Sequence, residues 1–164
     1  MREAFEKAGI KGSKQKAQNP SQRHQSGRGS GGGNSGEQRT KDNIIRAFGK
    51  DYTRLILDFN NDEYNHLVGK VKDYVARNAR SITTSQLRNI FGKVLRAKEP
   101  FDVYQLRPKL AYVAGRSDKW QMKELVFLLD ELIQSIQNKD QLKNFKDFFE
   151  SIIAYHRYFN PKGN

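Results

Sequence analysis

The sequence predicts an all-α fold: a bundle of five to six helices behind a disordered, basic, Gly/Ser-rich N-terminal leader. Three observations predict it. Apolar residues recur at helical spacing from Asp42 onward, no run alternates with the two-residue period of a strand, and residues 12–41 contain no Leu, Ile, Val, Phe, Tyr, Trp or Met. A segment with nothing to bury cannot offset its ordering entropy, so residues 1–41 are expected to be a disordered leader and 42–164 the helical domain.

In the first predicted helix Ile44, Ile45, Phe48, Tyr52, Leu55 and Ile56 fall at helical spacing, with Gly49 as a break point. Asn60, Asn61 and Asp62 read as a turn and N-cap for a second helix, whose stripe is Leu67, Val68, Val71, Tyr74 and Val75. Thr83 followed by Gln86 has the pattern of a capping box and opens a third helix. Pro100 ends it, because the residue before a proline is pushed out of helical geometry. Pro108 suits the first turn of a short helix over 108–114, with Gly115 as its C-cap. Two longer helices over 119–137 and 140–159 carry wide apolar arcs and balanced charge, which marks them as the scaffold. Lys143 and Lys146 on the last of these read as ordinary solvated charge.

The formal net charge is +12, and its distribution matters more than its total. Residues 70–119 hold twelve Lys/Arg against four acids, whereas residues 120–164 hold six of each. An excess confined to one block of a folded domain is the electrostatic footprint of a polyanionic partner. The chain has no cysteine, which excludes disulfides and thiolate metal sites. No apolar run approaches the ~20 residues of a membrane helix, and the N-terminus lacks a signal-peptide core, so a cytoplasmic protein without a membrane partner is expected.

Within the basic block the third helix has two contrasting arcs. At ~3.6 residues per turn, Leu87, Ile90, Phe91, Val94 and Leu95 share one side, and Ser85, Arg88, Asn89, Gly92, Lys93 and Arg96 the other. The polar arc holds three cations, no acid and a central glycine, although helix-interior glycine costs roughly 1 kcal/mol relative to alanine. An unpaired cationic face with no side chain at its centre suits close approach of a nucleic-acid backbone. Tyr104 and Tyr112 are able to stack on bases, but beside Leu106, Leu110 and Val113 they read as core.

No catalytic or metal-binding pattern is present: there is no HExxH, phosphate loop or nucleophile elbow. His24 and His66 are isolated, and His156 falls on an apolar arc, as a core histidine with a satisfied hydrogen bond. Asp102, the acid in the middle of the basic block, reads as a helix cap. In the leader, the GxxG at Gly9 to Gly12 lacks the strands that would make it a nucleic-acid clamp, and Gly27, Arg28 and Gly29 read as solvated basic chain. No enzyme activity, cofactor or small-molecule substrate is therefore expected. Two binding readings stay open on residues alone: a helix-turn-helix DNA reader built from 62–79 and 83–98, and sequence-independent RNA binding by a helical subunit of a larger assembly.

ITTSQLRNIFGKVL over 82–95, followed by LRPKLAYVAGR over 106–116, closely resembles the small helical subunit of type III-A CRISPR–Cas (Csm) effector complexes. The likeness is strongest over 71–116, and the leader lies outside it. The resemblance implies a non-catalytic, RNA-binding protein of antiviral defence. Several copies would pack against one another and against other effector subunits, holding guide RNA and target RNA. It points to Thr83, Thr84, Ser85, Arg88 and Lys93 in the first phrase and Arg107, Lys109 and Arg116 in the second; Arg80 and Arg96 join them on charge alone.

Overall fold

The structure, a computed structural model, describes residues 32–162. Eight α-helices succeed one another among the described residues: α1 (Gly32–Phe48), α2 (Tyr52–Leu57), α3 (Asn61–Asn78), α4 (Thr84–Arg96), α5 (Pro100–Tyr104), α6 (Arg107–Arg116), α7 (Trp120–Ser135) and α8 (Lys139–Phe159). A single 3₁₀ turn, Ala79–Ser81, joins α3 to α4. The count exceeds the expected five to six for two reasons. Gly49 takes a φ of 101°, open to glycine at little cost, and splits the first predicted helix into α1 and α2. The five residues after Glu99 form a further turn of helix, which the stop signal at Pro100 concealed.

Helix α1 starts at Gly32, ahead of the expected boundary at Asp42. Its added turns are short of apolar residues, but Lys41 pairs with Glu131 of α7 at 3.1 Å, and Asn43 donates to Glu124 of α7 at 2.9 Å. Both leader motifs lie outside the described residues.

The core is organised on the two scaffold helices. On α8, Phe145, Phe148, Phe149 and Ile152 are buried, and α2, α3 and α4 rest on this helix. On α7, Leu125, Leu128, Leu129, Leu132 and Ile133 are buried, and α1, α2, α5 and α6 rest there. The α3 stripe is buried as patterned, with Val68 only partly so. Phe48 meets Tyr74 at 5.2 Å between ring centroids, and Phe91 of α4 meets Phe149 edge-on at 5.3 Å. Such pairs contribute about 0.5–1.5 kcal/mol beyond the area they bury.

Local caps follow the sequence in some places and not in others. Asn60 accepts from the Glu63 N–H at 2.9 Å while the Glu63 carboxylate accepts from the Asn60 N–H at 3.1 Å, a reciprocal box. Asp102 is a cap as expected: its carboxylate accepts from the N–H groups of Lys98 at 2.7 Å and Glu99 at 3.0 Å. These bonds hold it below the usual carboxylate range. The predicted Thr83–Gln86 box does not form. Thr83 is the N-cap residue but its side chain makes no capping bond, and the Gln86 Oε1 is buried without a partner. Gly115 lies inside α6 rather than capping it; Ser117 is the C-cap.

Candidate nucleic-acid interface

Helix α4 is held at both ends by α8. At its start, His156 is buried, 2% exposed, and its Nε2 lies 3.0 Å from the Ala79 carbonyl and 2.9 Å from the Ile82 carbonyl. Both partners are acceptors, so Nε2 carries the proton and donates to each. At its end, Lys146 Nζ donates to the Ala97 carbonyl at 2.5 Å and reaches the Leu95 carbonyl at 3.4 Å. Leu87 and Val94 are fully buried between these anchors, which fixes the helix's rotation. Arg88 and Asn89 are left in solvent, and Lys93 is half-buried.

Helix α6 is oriented by a different device. Arg107 donates from Nε to Asp130 at 2.7 Å and from a terminal nitrogen to the other carboxylate oxygen at 3.1 Å, clamping the start of α6 to α7. The hydrogen bond raises the guanidinium's already high pKa. Leu110 is fully buried on the same side of the helix as Arg107. Lys109, Tyr112 and Arg116 then fall on the opposite side, turned towards α4.

Because α4 rests on α8 and α6 on α7, the two helices do not close on each other. A groove of about 460 Å³ runs between them, and among its lining residues Lys93, Lys109 and Arg116 are charged and none is an acid. Gln86, Asn89 and Tyr112 supply hydrogen-bonding groups along it. Arg116 lies over the Tyr112 ring, 5.5 Å from its centroid, and donates to the Tyr112 hydroxyl at 2.9 Å. A stacked, hydrogen-bonded guanidinium is pre-organised, so less side-chain entropy is lost when it meets an anion. At Gly92, on the outer arc of α4, a Cβ would meet nothing within 4 Å, so packing within the chain does not require the glycine.

Sequence reasoning placed ten residues at the interface, and the structure separates them. Lys93, Lys109 and Arg116 converge on the groove, while Ser85 and Arg88 lie exposed on the adjoining face of α4. Thr83 is half-buried at the N-cap, and the side chain of Thr84 lies outside the described ones. Arg80 is exposed on the 3₁₀ turn. Arg107 is engaged with Asp130, away from the groove. Arg96 faces a second cleft, shared with Lys98, Lys139, Lys143 and Lys146.

Three expectations are corrected here. Leu95, assigned to the apolar arc, is 51% exposed, and Tyr112, assigned to the core, is 63% exposed. Lys143 is solvated as expected, 74% exposed and paired with Asp147 at 3.3 Å, but Lys146 is not, since it donates to the Ala97 carbonyl at the end of α4 beside Arg96. Tyr112 was detectable, because it lies three residues after Lys109 and four before Arg116, on one helix face. The proximity of Lys146 to Arg96 had no local signal, as it depends on how α8 crosses α4.

Among the described residues no helix is long and apolar enough to cross a membrane. No curated protein and no solved structure matches the chain. The family model described as Csm2 Type III-A matches residues 61–162, from the first residue of α3 to the last described residue, and so takes in both walls of the groove. That stretch is more than half of the sequence, and the chain belongs to the Csm2 type III-A family, the small subunit of type III-A CRISPR–Cas Csm complexes.

Proposed function

We propose that this chain is a non-catalytic subunit that holds the sugar–phosphate backbone of guide RNA and target RNA without reading sequence. Several copies pack along the backbone filament of a cytoplasmic type III-A effector complex. The observation that carries the RNA contact is the acid-free groove in which Lys93, Lys109 and Arg116 meet from two helices anchored independently. Contacts to phosphate and sugar position a strand without carrying sequence information, as a guide-programmed complex requires when base pairing supplies specificity. Weak binding per copy suffices, because linked copies multiply it.

The groove is not the surface that a helix-turn-helix reader would use: Lys93, Lys109 and Arg116 meet between α4 and α6, whereas a duplex reader would dock the α3–α4 pair.

The test is filter binding of the purified protein to unrelated single-stranded RNAs across a salt series. Affinities are expected to agree among sequences. Their logarithm should fall with log salt by a slope of about −0.7 for each phosphate contacted. Tight, salt-insensitive binding to one duplex DNA sequence would overturn the proposal.

A further inference from the structure

The α4–α6 groove holds more than its charge requires. Tyr112 stands in it 63% exposed, with Pro108 and Val113 beside it on the α6 wall. A single exposed aromatic needs no explanation by itself, but one set among converging cations does, because a phosphate chain gains nothing from an apolar ring. Among the described residues Tyr64, Leu95, Phe101, Trp120 and Tyr158 are the other exposed large apolar side chains, and none of them lines this groove.

Lys109, Tyr112 and Arg116 follow one another at spacings of three and four on one face of α6, so the ring stands between the two cations. The cations are separated by about 10 Å along the helix axis. Arg116 donates to the Tyr112 hydroxyl at 2.9 Å, which ties down the ring as well as the guanidinium. A planar ring that is 63% exposed still has a face in water. Positioning Arg116 accounts for the hydroxyl and leaves that open face unexplained. Asn89 and Lys93 of α4 stand on the other wall, and the enclosed volume of about 460 Å³ falls among those of sites that hold a small ligand, roughly 300–1,000 Å³.

We propose that Tyr112 is a stacking platform: an unpaired nucleotide of RNA enters the groove and lays its base on the open face of the ring, while Lys109 and Arg116 hold the phosphates on either side. The inference rests on the groove's holding RNA, and adds that the groove grips a single strand by a base as well as by its backbone. A base inside a duplex has its faces covered by its neighbours, so the stacked nucleotide is one that has left any pairing. Every base has a π-face, so this contact raises affinity without reading sequence, as in other binders that combine a cationic groove with aromatic side chains.

The test measures binding of the full-length protein to a mixed-sequence single strand of RNA and to an abasic strand of the same length, which carries the same number of phosphates. The base-bearing strand is expected to bind about ten-fold more tightly. The slope of log affinity against log salt should be the same for both, because it counts phosphates. Tyr112→Leu, checked for an intact melting transition, should bring the ratio of the two affinities close to one. Tyr112→Phe, which loses only the hydroxyl bond to Arg116, should keep it. A ratio near one in the parent, a comparison that needs no variant, would overturn the proposal and leave the phosphate-binding groove standing. Equal weakening of both strands by Tyr112→Leu would overturn it too, since the ring would then serve only to place Arg116. Absence of salt-dependent binding to either strand would instead remove the groove reading, and this inference with it.

Discussion

Replacing Arg107 with alanine removes two hydrogen bonds to Asp130 at a solvent-exposed site, where water and salt screen an ion pair so that it contributes little. Arg107→Ala is therefore expected to lower the urea midpoint only slightly and to leave RNA affinity unchanged. Arg116→Ala, at the other end of the same helix, is expected to do the reverse: weaker RNA binding, with stability within about 0.5 kcal/mol of the parent. Urea midpoints and filter binding on the two variants check this. Both arginines occupy similar phrases of sequence, and only the position of Asp130, 23 residues beyond Arg107, tells them apart. The fates of His156 and Asp102 were legible because each depends on its local pattern, an apolar helix arc for the first and a pre-helical turn for the second. Glu124 was not, since its burial results from α1 packing across α7. Burial raises its carboxyl above the ordinary value, against the opposing pull of Asn43, Tyr74 and Arg77. A carboxyl raised on folding contributes stability below its unfolded pKa and loses it as pH climbs through the folded value. Glu124→Gln keeps an acceptor for Asn43 and removes that loss. Its melting temperature should therefore gain on the parent at pH 7 and show a smaller gain at pH 4, as read by circular dichroism.

At the scale of elements, α4 carries an interior glycine that side-chain packing does not require. A methyl at Gly92 meets nothing within 4 Å, so Gly92→Ala should stabilise the free protein by about 0.5–1 kcal/mol, measured by denaturant titration. The same methyl stands on the outer polar arc, so RNA affinity is expected to fall even as stability rises; a stabilised variant with unchanged RNA binding would show that the strand does not approach α4 there. Helices α3, α7 and α8 were readable from apolar periodicity because each buries a wide arc. The ends of α4 were readable in position, with Thr83 at the N-cap, but not in chemistry. His156 from α8 ties down the turn before its start by donating to the Ala79 and Ile82 carbonyls, which caps none of the helix's own N–H groups, and Lys146 from α8 donates to the Ala97 carbonyl at its end; both come from far along the chain. Helix α5 escaped notice because a turn of five residues carries too few apolar positions to show a period.

At the scale of the molecule, two scaffold helices share α2 but carry α4 and α6 separately, and the groove is what remains between α4 on α8 and α6 on α7. The all-α class and the basic block were legible in composition and periodicity; the groove was not, because it depends on how α4 and α6 are rotated. Residues 1–31 carry seven Lys/Arg and two acids, and their only large apolar side chains are Met1, Phe5 and Ile10. The melting transition should survive their deletion, whereas deletion to residue 41 should lower it by removing the Lys41–Glu131 pair and the first turns of α1. The convergence of cations on the groove is tested most directly by charge reversal. Lys93→Glu with Lys109→Glu is compared with Lys50→Glu and Arg157→Glu, an equal change at exposed positions away from the groove. RNA affinity should fall at least ten-fold in the groove variant and much less in the control, with both retaining the parent's helical signal and melting transition. Equal losses in the two would mean that net charge alone attracts RNA, and the claim of a dedicated groove would be wrong.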